Sequence, residues 1–370
     1  MAKIFYSMCG EGRGHASRVR AMVESLRGQH EFVLFAPEQA HDFLAPRYPQ
    51  GTPGIEVRRI PGLRFHYHNG RMNLTKTAWH AAGYLCRWPR LNSRLKRTIR
   101  EERPDLVIAD FEPALPRAAR SCQIPFLSLN HQHFLVACDL SSLPWELQRW
   151  AEMMRVGVWA HHRGQRATIV SSFFRAPLRR GYESVLQVGP LLRPELKTAR
   201  PSQGDYVLSY LRPNASPRIL ESLQGAKREV RVYGLGERPA VGCLKFFPLH
   251  ERKFVDDLAG CSALIGAAGN QSLGEALYLG KPVLAIPEGE HYEQLINAHF
   301  LRQMGAGDWV TAEQVEPAHV NRFLDRLDSH AACAGLLAGK LDGTSSAAAE
   351  IERFLPPNEQ GQKHAALATL

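Results

Sequence analysis

Two stretches of this 370-residue chain hold most of the residues whose types and spacing could do chemistry. The first is SMCGEGRGHASR at 7–18. It places Gly10, Gly12, Gly14 and His15 between an apolar, β-prone run, KIFY, and a segment of helical spacing, VRAMVESLRG. Glycines here admit positive φ in a tight strand-to-helix turn. They equally let a ligand approach the backbone, with His15 at the helix entrance. The second stretch is LIGAAGNQSLGEALYLGKPVLAIPEGEHYEQLINA at 264–298. ALIGAAG reads as a buried strand ending in small residues, and NQSLGEALYLG as a helix that Asn270 or Ser272 can cap. The free N–H groups and dipole of such a helix start suit a diphosphate. Glu275 lies one turn inside, where a carboxylate can accept two ribose hydroxyl hydrogens. The Ser272–Glu275 spacing is also that of a capping box. Beyond the strand PVLAIP stand Glu290, His291, Glu293 and Gln294, which can hydrogen-bond sugar hydroxyls or simply form a polar helix N-terminus.

The elements that must position these residues alternate along the chain. In the first half KIFYSMC, EFVLFAP, IEVRRIP, DLVIADF, IPFLSLNHQ and ATIVSSFF read as strands between helical segments, with a long basic helix interrupted or kinked near Pro89. LQVGPLLRPELKTARPSQGD is polar and punctuated by Pro and Gly, as an interdomain linker would be. A second series then begins at YVLSYL, followed by Arg212, which is either at the cleft or an ordinary surface arginine. The alternation implies an α/β protein of two doubly wound, Rossmann-like domains with parallel sheets facing each other across a cleft. The expected division is 1–190, a linker at 191–204, a second domain at 205–355 and a weakly ordered tail at 356–370.

Composition narrows the function classes. The net charge of +10 favours an anionic partner. Arg87, Arg90, Arg94, Arg97 and Arg100 recur at helical steps, as a solvated helix face or as a contact for phosphate or anionic lipid headgroups. Aromatic residues of the kind that stack on bases are sparse among them, so nucleic acid is not favoured. The seven cysteines are scattered and never in C-x-x-C spacing, which argues for a reducing compartment and against a structural zinc site. No stretch is long and apolar enough for a spanning helix, and the N-terminus lacks a signal peptide's apolar core. The expected location is cytoplasmic, with peripheral contact on the inner membrane face left open.

The 264–298 segment resembles the donor-sugar signature of GT-B glycosyltransferases, in particular the UDP-glucuronosyltransferase-like enzymes and the N-acetylglucosaminyltransferase of peptidoglycan synthesis. The matching residues are Gly269, Ser272, Glu275, Gly280, Pro282, Pro287, Glu293, Gln294 and Asn297. The resemblance implies an inverting, metal-independent transfer of a hexose from a nucleotide-sugar, UDP-linked above dTDP or GDP, with no cofactor. It implies that Glu275 binds the ribose diol, that Asn270, Gln271 and Ser272 meet the diphosphate, that Gly269 belongs to the same donor-binding turn, and that Glu293 and Gln294 bind the donor sugar. Where many relatives carry a histidine before the glycine of this turn, the chain has Ala268, so the diphosphate would fall to backbone amides or to Arg212. The first loop is similar to the G-x-G-H loop of the same enzymes and of a related nucleotide-sugar hydrolase. The likeness makes His15 the candidate general base, oriented by Asp110 or, second, Glu112. Gly12, Gly14, His131 and His133 would then line the acceptor side. A capping role for His15 or Asp110 stays open, as do a hydrolase and a non-catalytic nucleotide-sugar sensor. The acceptor is unknown.

Overall fold

The computed structural model describes residues 1–10, 13–62, 67–68, 71–72, 74–161, 163–213, 215–289 and 291–356. Gly12 and Glu290 lie outside them. The first unit contains β1 (Lys3–Met8), α1 (Arg13–Leu26), β2 (Glu31–Ala36), α2 (Glu38–Leu44), β3 (Ile55–Arg59) and a short hairpin, β4 (Tyr67–His68) and β5 (Arg71–Met72). There follow α3 (Leu74–Glu102), β6 (Leu106–Asp110), α4 (Ala114–Ser121), β7 (Phe126–Asn130), α5 (Phe134–Ala137), α6 (Trp145–His161), β8 (Ala167–Ser171) and β9 (Leu186–Val188). Seven strands form one parallel sheet in the order β3-β2-β1-β6-β7-β8-β9. LVIAD and FLSLN are buried at every position, because helices cover both faces of the sheet. Helix α3 runs through Pro89 without an interruption, one of the two outcomes expected there.

The second unit runs through α7 (Pro194–Thr198), β10 (Tyr206–Tyr210), α8 (Pro217–Gln224), β11 (Glu229–Tyr233), β12 (Leu244–Phe247), α9 (Glu251–Gly260), β13 (Ala263–Gly266) and α10 (Asn270–Tyr278). It continues with β14 (Val283–Ala285), α11 (Tyr292–Gln303), β15 (Gly307–Trp309), α12 (Pro317–Asp325), α13 (Leu327–Leu337) and α14 (Thr344–Glu352). Its parallel sheet is ordered β12-β11-β10-β13-β14-β15. In both sheets the strand order reverses beside the first strand, between β1 and β6 and between β10 and β13. Such a switch point opens a crevice at the carboxyl ends of the two strands. His15 and Asp110 flank one crevice; Arg212 and Gly269 flank the other.

Two features differ from the sequence reading. The segment expected to be a solvated linker is partly core, with Leu191, Leu192, Arg193 and Leu196 all buried. Helix α14, expected in the second unit, packs on α1 and β9 of the first, and Ala347, Ile351 and Leu355 join its core. A separate core is continuous between the units. Phe134, Val170 and Phe173 share it with Leu273, Ile296 and Leu301, and the rings of Phe174 and Phe300 stack at 3.8 Å.

Candidate active site

Met8 and Asp110 are register partners at the ends of β1 and β6, so Asp110 is presented where the chain leaves β1 for the glycine loop. His15 lies on the first turn of α1, and Arg18 one turn further on the same face. Asp110, fully buried, accepts from His15 Nδ1 at 3.0 Å through Oδ1. The same carboxylate takes the Arg18 fork, Nη2 to Oδ1 at 2.7 Å and Nε to Oδ2 at 3.0 Å. Burial alone would raise the Asp110 pKa; Arg18 and His15 outweigh it and hold the carboxyl below its ordinary value. Arg18 is itself buried. Glu112, the second choice for orienting His15, instead accepts the N–H groups of Ala114 and Leu115 at 2.7 and 2.9 Å. It, and not Asp110, caps α4.

Arg18 Nη2 also lies 2.9 Å from His15 Nδ1. With the two contacts to Oδ1 this makes a nearly equilateral triangle. Guanidinium N–H bonds diverge by about 120° in a fixed fork, so the proton aimed at Oδ1 is not aimed at the imidazole. The hydrogen bond the triangle accommodates is Nδ1–H to Asp110, which leaves the lone pair on Nε2. Among the described residues Nε2 has no hydrogen-bond partner, and the side chain is 14% exposed.

Across the cleft, α1 faces α10. A Cβ added to Gly14 would touch Gln271 Cβ at 3.7 Å, so the two helix starts approach closely. Gly269 is the N-cap of α10, with no side-chain cap, and Ser272 Oγ bonds back to its carbonyl at 2.9 Å. The capping box is therefore not formed. Asn270 is fastened to the first unit: its Nδ2 donates to the Ser171 carbonyl and its Oδ1 accepts from Phe173 N–H, both at 3.1 Å. Gln271 Nε2 is bonded to the Leu191 carbonyl at 2.9 Å and to Glu275 at 3.0 Å. These two side chains are spent on the fold, and what they offer an anion is backbone. Glu275 is buried and paired with Arg193 at 2.6 Å, which also reaches Glu251 at 2.8 Å.

The other residues singled out after β10 and β14 make contacts of their own. Arg212 Nη1 is 3.4 Å from Glu288 at the end of β14. Gln294 Oε1 accepts from Glu288 N–H at 2.9 Å, leaving its buried Nε2 without a partner among the described residues. Glu293 Oε2 accepts from Gln132 Nε2 at 3.2 Å and is within electrostatic reach of His15, Arg18 and His291. His131 departs from its expected place. It is fully buried between the units, Nδ1 against the Ser171 carbonyl at 3.2 Å and Nε2 against Asn297 Oδ1 at 3.1 Å, so it joins domains instead of facing an acceptor. His133 is likewise buried on Asn130. Among the described residues no group of three or more His, Cys, Asp or Glu could hold a metal ion, and no helix is long and apolar enough to cross a membrane.

Sequence reasoning missed Arg193 as a site residue and missed Arg18 as the partner of Asp110. Arg18 had a readable signal, since it lies three positions after His15 on a helix. Arg193 had none, because the linker carries no periodicity that would show one side chain turned inward.

Two facing parallel sheets with their switch points across one cleft define the GT-B architecture, and solved glycosyltransferases share it. The kitacinnamycin glycosyltransferase superposes with a TM-score of 0.67 at 16% identity, over 96% of this chain and 99% of that one. Arabidopsis thaliana UGT89C1, solved with UDP-L-rhamnose, gives 0.68 at 13%, over 95% and 98%. Acinetobacter baumannii MurG gives 0.60 at 15%, over 95% and 100%. At these identities the likeness is one of fold. The sequence model of glycosyl transferase family 1 matches residues 2–328, and the chain belongs to that family. Among curated proteins none matches.

Proposed function

We propose that this glycosyltransferase moves a hexose from a nucleotide-sugar, UDP-linked, to an acceptor hydroxyl with inversion at the anomeric carbon, and that His15 is the general base. The observation that carries the reading is the buried Asp110 carboxylate, which holds His15 Nδ1 at 3.0 Å and is itself held by Arg18. His15 Nε2 takes the acceptor proton as the hydroxyl oxygen bonds to the anomeric carbon. The bond from that carbon to the diphosphate oxygen breaks, and the electron pair leaves with the diphosphate. The first unit would hold the acceptor and the second the donor. The backbone N–H groups of Asn270, Gln271 and Ser272 begin α10 and have no intrahelical partners, which suits the leaving charge. Arg212 stands at the same edge. Glu275 would exchange its bond to Arg193 for the ribose diol, and Glu293 and Gln294 would bind the sugar. The reading includes peripheral contact with an anionic membrane, motivated by the arginines of α3 and the net charge of +10.

The test is His15→Gln, which keeps a hydrogen-bonding side chain at the helix start. Turnover should fall roughly 100-fold or more, as for loss of a general base, with donor affinity by calorimetry unchanged. Near-normal turnover in the folded variant would remove His15 from the chemistry. Equal release of free sugar with and without acceptor would make water the nucleophile, and donor binding without any turnover would make the protein a sensor.

A further inference from the structure

Helix α6 has two apolar stripes and buries one of them. Leu147, Ala151 and Val158 pack into the core. On the opposite side Trp145, Met153, Val156 and Trp159 are 60, 66, 63 and 45% exposed. With Arg149 they recur at steps of three and four, so they form a single row, about 20 Å long at 1.5 Å per residue. A helix that only borders solvent carries polar residues there. Arginines cover its two indoles: Arg149 lies over the Trp145 ring at 5.4 Å and Arg163 over the Trp159 ring at 4.4 Å. Of the acids beside it, Glu152 is neutralised by Arg155 at 2.8 Å and by Arg179, and Glu146 is exposed in the first turn.

This row continues into a wider basic face. The turn that follows α6 reaches α4, where a Cβ on Gly164 would lie 3.5 Å from the Arg120 side chain. Helix α4 packs along α3, with Arg117 over the Trp88 ring at 5.3 Å. Helix α3 adds exposed Trp79 and Leu85 to the exposed arginines 87, 90, 94 and 97. One helical layer of the first sheet thus presents indoles and aliphatic groups among guanidinium groups. Tryptophan settles at a membrane–water interface, arginine meets lipid phosphate, and a helix with such a face lies in the interface plane. Charge complementarity selects anionic lipid.

We propose that the α3–α4–α6 layer is a membrane-docking face, with the Trp145–Trp159 row of α6 inserted among the headgroups of an anionic bilayer. The proposal deepens the peripheral-membrane part of the proposed function, and does not depend on the sugar-transfer chemistry. The test is flotation of the full chain with phosphatidylcholine vesicles, with and without phosphatidylglycerol, together with quenching of tryptophan emission by lipids brominated in the acyl chain. Wild type should float only with the anionic vesicles and be quenched by them. Replacing Trp145, Met153, Val156 and Trp159 by Gln should abolish quenching and weaken flotation by about tenfold or more, while calorimetric donor binding stays as in wild type. Replacing Arg87, Arg90, Arg94 and Arg97 by Gln should weaken flotation without touching donor binding. Failure of wild type to float at low salt overturns the proposal. So does equal flotation of the α6 variant, which would reduce the contact to surface charge. Binding of duplex DNA with the same dependence on the α6 row would assign the face to nucleic acid instead. A variant at His15 that floats normally but transfers nothing would leave this face standing; wild type that transfers sugar but ignores vesicles would sink the face alone.

Discussion

Arg18 and Asp110 are 92 positions apart and meet as a bidentate pair inside the protein. The pair is stable because both charges are satisfied: the fork fills both carboxylate oxygens, and His15 shares one of them. Removing one partner of such a pair strands a buried charge at a cost of about 3–5 kcal/mol. Arg18→Met should therefore lower the urea midpoint by that equivalent. Arg18→Lys restores the charge but not the fork. It should recover part of the stability and still transfer sugar roughly tenfold more slowly, because an ammonium cannot hold the carboxylate in the plane that His15 needs. Donor affinity should stay constant. Lysine supporting full turnover would show that Arg18 supplies charge and no orientation. The backbone beside this pair is unusual too. Phe111 has a φ of 57°, a left-handed conformation that bulky residues rarely adopt. This turn separates Asp110, directed to His15 and Arg18, from Glu112, which caps α4.

At the scale of elements, the sequence was most legible where burial forces a simple pattern. DLVIAD and FLSLN read as strands because a strand covered on both faces must be apolar throughout. The helix beginning at Asn270 was legible from small residues followed by helical spacing. Its side-chain partners were not, because they arrive from far along the chain: Arg193 is 82 residues from Glu275, and Ser171 is 99 from Asn270. Local spacing suggested a Ser272–Glu275 capping box, and a distant arginine won. Glu275→Ala tests one role of this carboxylate, contact with the donor, and Arg193→Gln the other, its ion pair. Donor binding should weaken by on the order of 1.5–3 kcal/mol if the carboxylate accepts ribose hydroxyls. Arg193→Gln should destabilise the fold while sparing that affinity. Equal loss of donor affinity in both variants would mean that the ion pair, and not ribose contact, is what Glu275 contributes.

The turn after β7 makes a separate, pH-dependent case. Burial between the units pushes the His131 pKa down to about 4, against an ordinary value near 6.5. The unfolded chain then binds the proton more tightly than the native one. Stability is full above about pH 6.5 and is lost as pH falls towards 4, by roughly 3 kcal/mol over the interval. His131→Asn, which has nothing to titrate, should flatten the fall of the urea midpoint in that range. An unchanged slope would place the acid sensitivity elsewhere.

The two units are not beads on a tether. The chain crosses between them once at Gly189 and again at Gly343, and these glycines meet backbone to backbone: a Cβ on Gly343 would lie 2.2 Å from the Gly189 carbonyl oxygen. Arg20 and Arg47 of the first unit and Arg193 of the crossing segment converge on Glu251 at the start of α9. Composition hid this. A Pro- and Gly-rich polar segment reads as solvated, yet its backbone can still carry a buried Leu191, Leu192 and Arg193. The return of α14 was hidden for another reason, since nothing local in TSSAAAEIE names the sheet that will cover Ile351.

That return yields the most exposed prediction about the molecule as a whole. Helix α14 closes the first unit, where Ile351 is fully buried, Glu352 bonds His30 Nε2 at 2.7 Å, and His30 Nδ1 accepts from the Ala2 N–H at 3.3 Å. Thr344 Oγ1 accepts from Leu192 N–H at 2.9 Å, pinning the helix start to the crossing segment. Ending the chain after Gly343 would uncover the apolar contacts of Ala347, Ile351 and Leu355 on α1 and leave His30 without its carboxylate. Burial of one such aliphatic side chain is worth about 1.5–3 kcal/mol, so the loss is a large part of a marginal native stability. The thermal midpoint should fall clearly, and protease should cut first in 1–190, because the damage is in the first unit although the deletion is at the far end of the chain. Ile351→Ala is the milder control, costing about 2–4 kcal/mol for its cavity with the helix still in place. A truncated chain that melts like wild type, or is cut first in 205–343, would show that α14 belongs energetically to the second unit.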